Sequence, residues 1–327
     1  MALNVLYIGG TGQISLPCVE ASLAAGHDVT ILNRNKTAVP LPKGVKTLVG
    51  DMNGAAYGEL GDRRFDVVAQ FRLYTPDQMK RDIATFTGKT GQYVFISSAS
   101  VYEKPVRYYM MTERTKLENK YWQYSRDKIA CERLLRDQDR LTYTIVRPSH
   151  TVRTHMPIQV GDADSAIRRM IGGKPVIVAG DGSSLWTLTR SIDVATQLVR
   201  LLGNSGALND DFHITTDRGF TWRQIHEAIA RGFGVEAVHA PVPTETLVRF
   251  NQEWAGGLLG DKSWSALFDN SKVKRVAGRF DASQDIDEIL RDSIMHAKDR
   301  LKAPAPPESE EDRLIDRVIA AQEGLRP

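Results

Sequence analysis

Over its first 150 residues the chain alternates short β-rich apolar runs with helical stretches, and few folds tolerate that rhythm. Strand candidates are "LNVLYI" (3–8), "DVTILN" (28–33), "KTLV" (46–49), "FDVVAQ" (65–70), "QYVFIS" (92–97) and "TYTIVR" (142–147). Helical patterns fall at about 13–25, 76–88 and 120–138. Strands that are apolar almost throughout, with helices between them, predict a parallel sheet covered on both faces. The expected class is α/β, a doubly wound parallel sheet. After Pro148 the rhythm breaks: "GGKPVIVAGDGSS" (172–184) is rich in turn formers, and strands become isolated. The predicted division is a nucleotide-binding domain at 1–155, to which part of 185–215 returns. A smaller substrate domain follows at 156–301. "KAPAPPESEEDR" (302–313) reads as a linker, and "LIDRVIAAQEGL" as a short helix in a peripheral or disordered tail.

Composition narrows the function classes. With 327 residues, 42% hydrophobic and 25% charged, the chain can bury one large core or two unequal ones. A formal charge of +3 without a Lys/Arg block does not argue for nucleic acid. No apolar run approaches the roughly 18 residues of a membrane span. Cys18 and Cys131 sit in apolar helical patterns, which suits buried thiols rather than a disulfide or metal site. The reading is a soluble cytoplasmic protein with no nucleic-acid or membrane partner, compatible with a homodimer.

"YIGGTGQIS" (7–15) follows the first strand directly and opens a helix. Gly9 permits a tight turn, and Gly12 lets backbone approach a pyrophosphate at the helix N-terminus, where free N–H groups favour anions. A glycine pattern in this strand–helix context points to a Rossmann-type dinucleotide site. Ser15 stands where a third glycine is usual and fits by being small. At the end of the second strand a carboxylate would bind a ribose 2′-hydroxyl. Here stand Asn33, Arg34, Asn35 and Lys36, with no acid, so the turn leans towards NADP over NAD; a solvated basic turn is the alternative. Asp51 follows the third strand, where it can accept from an adenine amino group.

"YWQYSRDKIACERLL" (121–135) reads as an amphipathic helix, yet Tyr124 and Lys128 stand one turn apart on one face. The pair can be packing, or it can be chemistry, since an ammonium beside a phenol lowers its pKa towards that of a general base. Among ten tyrosines, one such lysine is about an even bet by chance, so context decides.

The glycine loop, "VFISSASVY" at the fifth strand and the Tyr124/Lys128 helix occur in that order. Together they resemble the extended short-chain dehydrogenases/reductases, the group that holds nucleotide-sugar epimerases and dehydratases. The likeness runs over about residues 3–290 and includes "RPS" (147–149), "GDGSS" (180–184), Asp193-Val194-Ala195 and "DNSKVKR" (269–275). The resemblance implies that Tyr124 takes a substrate hydroxyl proton as hydride moves to a tightly held NADP or NAD. It implies that Lys128 holds the nicotinamide ribose and lowers the tyrosine pKa. Ser98, four positions before Tyr102, matches the catalytic Ser/Thr that holds the oxygen. The implied cofactor shell is Gly9, Gly12, Gln13, Ile14, Asn33, Arg34, Asp51, Met52, Phe71, Arg72, Ser97, Tyr124, Lys128, Pro148 and Ser149. Implied substrate contacts are Ser98, Ser100, His150, which falls where the family often has Asn, and Trp186.

Departures from the pattern are specific. "FRLY" replaces small residues after the fourth strand, so Arg72 crowds the cofactor phosphates or the substrate. Ala99 and Ser100 follow Ser98 where sugar-nucleotide dehydratases carry an acid, and Glu103 is displaced from that place. Trp186 stands where many relatives offer a diphosphate-binding arginine; its alternative is a core position, and Arg168, Arg169 and Arg190 are nearby in sequence. The leading expectation is an epimerase or dehydratase that transiently oxidises a secondary hydroxyl on a sugar-containing small molecule such as a nucleoside or nucleotide sugar. Alternatives are an NADP-dependent ketoreductase with dissociable cofactor, and a non-catalytic relative that binds RNA.

Overall fold

The computed structural model describes residues 1–34, 39–51, 57–304 and 308–324. Five strands open the chain: β1 (Asn4–Ile8), β2 (Asp28–Asn33), β3 (Lys46–Val49), β4 (Phe65–Gln70) and β5 (Thr90–Ile96). Tyr143–Pro148 and Asp210–Ile214 complete a seven-stranded sheet whose pairings are all parallel. Its order is Asp210–Ile214, Tyr143–Pro148, β5, β4, β1, β2, β3, so the winding reverses between β1 and β4. In such sheets the carboxyl edge at the reversal is where ligands bind. The six sequence-expected strands all form, with ends shifted by a residue or two, as helix and strand limits commonly are.

Helices cover both faces because the strands are apolar on both. α1 (Ser15–Ala24) and the helix Ser191–Val199 share one core, in which Val5, Tyr7, Val19, Val194 and Leu198 are fully buried. α2 (Pro76–Phe86) and α3 (Gln123–Arg136) share the other, with Val68, Phe86, Phe95, Cys131 and Leu135. Cys18 and Cys131 are both buried free thiols. A further core gathers Trp186, Leu188, Trp222, Ile225 and Ile229 with the helix Ile286–Arg300 through Leu290 and Ala297. The terminal helix Glu310–Glu323 corrects the reading of a peripheral tail. Ile315, Val318 and Ile319 are buried against Val160, Ile177, Val242 and Leu247. Asp316 pairs with Arg169 at 2.6 Å, and Asp312 accepts from Ser165. No helix among the described residues is long and apolar enough to cross a membrane.

Candidate active site

Gly9 leaves β1 at φ +83°, a region that side chains avoid, and a Cβ there would collide with the stem of Arg72. A Cβ on Gly10 would lie 2.6 Å from Ile31 on β2. The loop therefore lies flat between β2 and Arg72, whose guanidinium sits 5.5 Å from the Tyr74 ring centre. Arg72 does crowd the glycine turn. Ser15 does more than fit: its hydroxyl donates to Gly9 O at 2.6 Å and accepts from the Gly12 N–H at 2.8 Å.

The segment after the sixth sheet strand meets the same loop. Gln13 donates through Nε2 to Thr151 O at 3.3 Å, and its Oε1 accepts from the Thr154 hydroxyl at 2.8 Å. Arg153 donates to Gln13 O at 3.1 Å and to Gly12 O at 3.3 Å. Arg153 thus brings a second cation to the glycine loop, and the motif reading missed it. Ile14 packs against the α1-side core, and the Phe71 ring lies 5.9 Å from that of Tyr7. At the end of β2, Asn33 O accepts from Gly50 N–H, and Arg34 lies 4.0 Å from the Asp51 carboxylate. Asn35, Lys36 and Met52 lie outside the described residues.

Tyr124 and Lys128 occupy successive turns of α3. Lys128 is 2% exposed, and its Nζ donates to Leu73 O at 2.6 Å and to Ile96 O at 2.8 Å. The rings of Phe95, Tyr74 and Tyr124 surround it at 4.8, 5.1 and 5.7 Å. Burial draws its pKa down to about 8. The Ser98 hydroxyl lies 2.9 Å from Ser100 Oγ, accepts from the Ser100 N–H, and is near enough to the Tyr124 phenol to pull its pKa down. Here one expectation is corrected. Burial raises the phenol to about 12, outweighing the lowering by nearby Ser98, while the Lys128 ammonium gives two of its three donors to carbonyls.

The substrate residues separate. Ser100 is 2% exposed; it accepts from Ser125 Oγ at 2.8 Å and holds Ser98 from behind. Trp186 is also 2% exposed, packed 5.3 Å from Trp222, because its strand turns it into the second core. In this arrangement Ser100 positions Ser98 and Trp186 packs in the second core, its indole N–H without a partner among the described residues. His150 is partly buried with its ring 6.4 Å from Trp186, and burial holds it neutral, down to about 3. Pro148 is buried at the strand end, and Ser149 donates to Thr187 O. Arg169 and Arg190 are committed to Asp316 and to Asp193 with Glu288, and Arg168 reaches Ala303 O.

A model of the NAD dependent epimerase/dehydratase family matches residues 5–215. The chain belongs to that family. It is 24% identical over 282 residues to the 2′-dehydrokanamycin reductase of Streptomyces kanamyceticus, covering 84% of this chain and 79% of that protein. It is 25% identical over 256 residues to the chloroplast stem-loop binding protein of 41 kDa b of Arabidopsis thaliana, covering 72% of this chain and 65% of that one. The UDP-glucose 4-epimerase of Bifidobacterium longum, solved with NAD+ and UDP, superposes with a TM-score of 0.71 at 20% identity, over 91% of this chain and 98% of that one. The structural likeness shows the fold.

A nicotinamide dinucleotide fits the residues of this family member. Bare glycines let the loop backbone lie against Arg72 at Gly9 and against Ser15 at Gly12, and Arg72 and Arg153 bring to this helix N-terminus the positive charge that a pyrophosphate needs. The Ser97 hydroxyl, 3% exposed beside Ser98, finds no partner among the described residues, an orphan that a ligand group can satisfy.

Proposed function

We propose that the chain reduces a ketone on a sugar-containing small molecule to a secondary alcohol, reversibly, with NADP or NAD. The nicotinamide supplies or accepts the hydride when bound. The observation that carries the reading is the placement of Tyr124 on α3 above Lys128, whose Nζ lies 5.7 Å from the phenol ring centre, with Ser98 just beyond β5 acting on the same phenol. A protonated phenol is a general acid, which delivers its proton from Oη to a developing alkoxide. Ser98 Oγ donates to the same oxygen, and Ser100 and Ser125 hold Ser98 in place. Lys128, fixed by Leu73 O and Ile96 O, keeps a positive charge under the tyrosine and offers its remaining donor to the ribose. Gly9, Gly12, Arg72 and Arg153 would hold the diphosphate; Asn33, Arg34 and Asp51 the adenosine end; Phe71, Ser97, Pro148 and Ser149 the nicotinamide end.

Reduction is set ahead of transient oxidation with hydride return because a curated relative bears the name of a reductase. Epimerisation is the second reading, supported by the family's own description. The two differ in stoichiometry. With keto-aminoglycosides and other keto-glycosides, reduction consumes one reduced nicotinamide per product, read from its absorbance. With UDP-glucose, epimerisation gives product with no net change in cofactor. Product without cofactor consumption would reject the reductase reading, and RNA retention by a protein inert towards ketones would reject both.

A further inference from the structure

Asn119 stands just before α3, outside every motif, and its side chain is 2% exposed. Its Nδ2 donates to Ser100 O at 2.8 Å and to Gly260 O at 2.7 Å. Its Oδ1 accepts from the Tyr121 and Trp122 N–H groups, both at 3.2 Å. Two donors and two lone pairs are the whole capacity of an amide, so this side chain is fully spent inside the protein. It ties three pieces of chain together. They are the segment of Ser98 and Ser100, the approach to the helix of Tyr124, and a wide helical turn at Leu258–Lys262, 141 residues further on.

Trp122 presses on the same turn. Its ring lies 4.9 Å from that of Tyr124. A Cβ on Gly256 would meet that indole at 2.5 Å, and one on Gly260 would stand 2.7 Å from Trp122 Cβ and 3.2 Å from Asn119 Oδ1. Packing this close transmits small displacements instead of absorbing them. The hydroxyls close the circuit. Ser125, next to Tyr124 on α3, donates to Ser100 Oγ at 2.8 Å, and Ser100 Oγ lies 2.9 Å from Ser98 Oγ. Ser100 is therefore held twice against the tyrosine helix, at its carbonyl by Asn119 and at its hydroxyl by Ser125.

We propose that Asn119 is a positioning residue, which holds the Ser98 segment and the Tyr124 helix at their working separation with the Leu258–Lys262 turn as its third anchor. The assignment rests on the reading of Ser98, Tyr124 and Lys128 as the reacting centre. Asn119→Asp is the sharpest change because it keeps the shape and the acceptor for Tyr121 and Trp122. It puts an oxygen where the Ser100 and Gly260 carbonyls need a donor, so both are left unpaired.

The test measures kcat and KM of the full, cofactor-saturated chain for wild type, Asn119→Asp, Tyr124→Phe and the double variant. The reaction followed is ketone reduction or, where the wild type consumes no cofactor, turnover of UDP-glucose. In Asn119→Asp kcat should fall about a hundredfold, the cost of roughly 1 Å of misplacement, with KM within about threefold of wild type. The double variant should be no slower than Tyr124→Phe, because a residue that acts through the phenol has nothing left to place. Gly260→Ala keeps the amide but crowds the clamp, and should reproduce the loss of kcat should Asn119→Asp fail to fold. Hydrogen exchange in Asn119→Asp should quicken about tenfold at both 98–102 and 258–264, the two segments that lose a tie. An equal further loss of kcat in the Tyr124→Phe background, or exchange that quickens in only one segment, overturns the proposal. Normal turnover in Tyr124→Phe, or none in the wild type with either substrate, removes instead the reading of the reacting centre.

Discussion

Arg147 and Glu132 meet in a two-pronged ion pair with both side chains fully buried, Nε 2.9 Å and Nη2 2.6 Å from the two carboxylate oxygens. Glu132 lies one turn beyond Lys128, and Arg147 ends the strand just before Pro148, so the pair bolts the tyrosine helix to the sheet. Tyr102 and Asp211 take the remaining guanidinium edge at 3.1 and 2.6 Å. Glu132→Ala takes the partner of two donors from a buried cation and leaves it Asp211 and Tyr102; breaking a buried pair typically costs about 3–5 kcal/mol. Urea unfolding should show that loss. A change under about 1 kcal/mol would mean that Asp211 and water replace the glutamate.

Tyr124→Phe removes the proposed proton donor and leaves the ring near Trp122 and Lys128. Turnover should fall by roughly two to four powers of ten, the usual weight of general acid–base catalysis. Melting temperature and cofactor affinity should stay near wild type. Normal turnover in this variant would remove Tyr124 from the chemistry.

Lys128 links pH to stability. Its pKa falls from the ordinary lysine value of 10.5 to about 8 in the fold, through burial opposed by Cys131 and Glu132. Below about pH 8 the folded and unfolded chains both hold the proton. Between about 8 and 10.5 the unfolded chain keeps a proton that the folded chain has released, so this group makes stability rise with pH. Lys104 and Lys262 shift in the same direction, so the comparison must be with Lys128→Met. The wild-type minus variant difference in unfolding free energy should climb across that window; a flat difference would refute the buried-lysine account.

The proposed lean towards NADP rests on Arg34. Arg34→Asp sets a second negative charge beside Asp51, 4.0 Å from the present guanidinium, and should weaken NADP far more than NAD. Arg153→Met should instead weaken both by a similar factor, about tenfold or more, because a diphosphate is common to them. Fluorescence titration of both cofactors against both variants checks the pattern. An unmoved NADP/NAD ratio in Arg34→Asp would make that arginine a solvated turn residue.

Much of the fold was legible because it is written in short-range periodicity. The strands flanking Gly9 and the helix holding Tyr124 carry their own apolar patterns, and both appear where expected. The strand Asp210–Ile214 was harder, since "DDFHI" is short and opens on two acids. What escaped depends on chain segments far apart meeting. Arg153 reaches a loop 140 residues away, and Asn119 and Trp122 meet a turn at Leu258–Lys262 that has no motif. The phenol's pKa escaped for a related reason. Sequence spacing shows that Lys128 is near, but not how deeply Tyr124 is buried or where the ammonium points. Trp186 sits at a register position that a gap-free comparison assigns to the site and that the strand turns into the core.

Ser15 has a consequence for binding rates. Because its hydroxyl ties Gly9 O to Gly12 N–H, the glycine loop proposed to hold the phosphates is fixed in one shape by the chain itself. A dinucleotide then has little loop entropy to remove on docking, which favours quick capture by a rigid collar. A glycine at position 15 would keep the shape available but let it flicker, shifting the burden of ordering the collar onto the ligand itself.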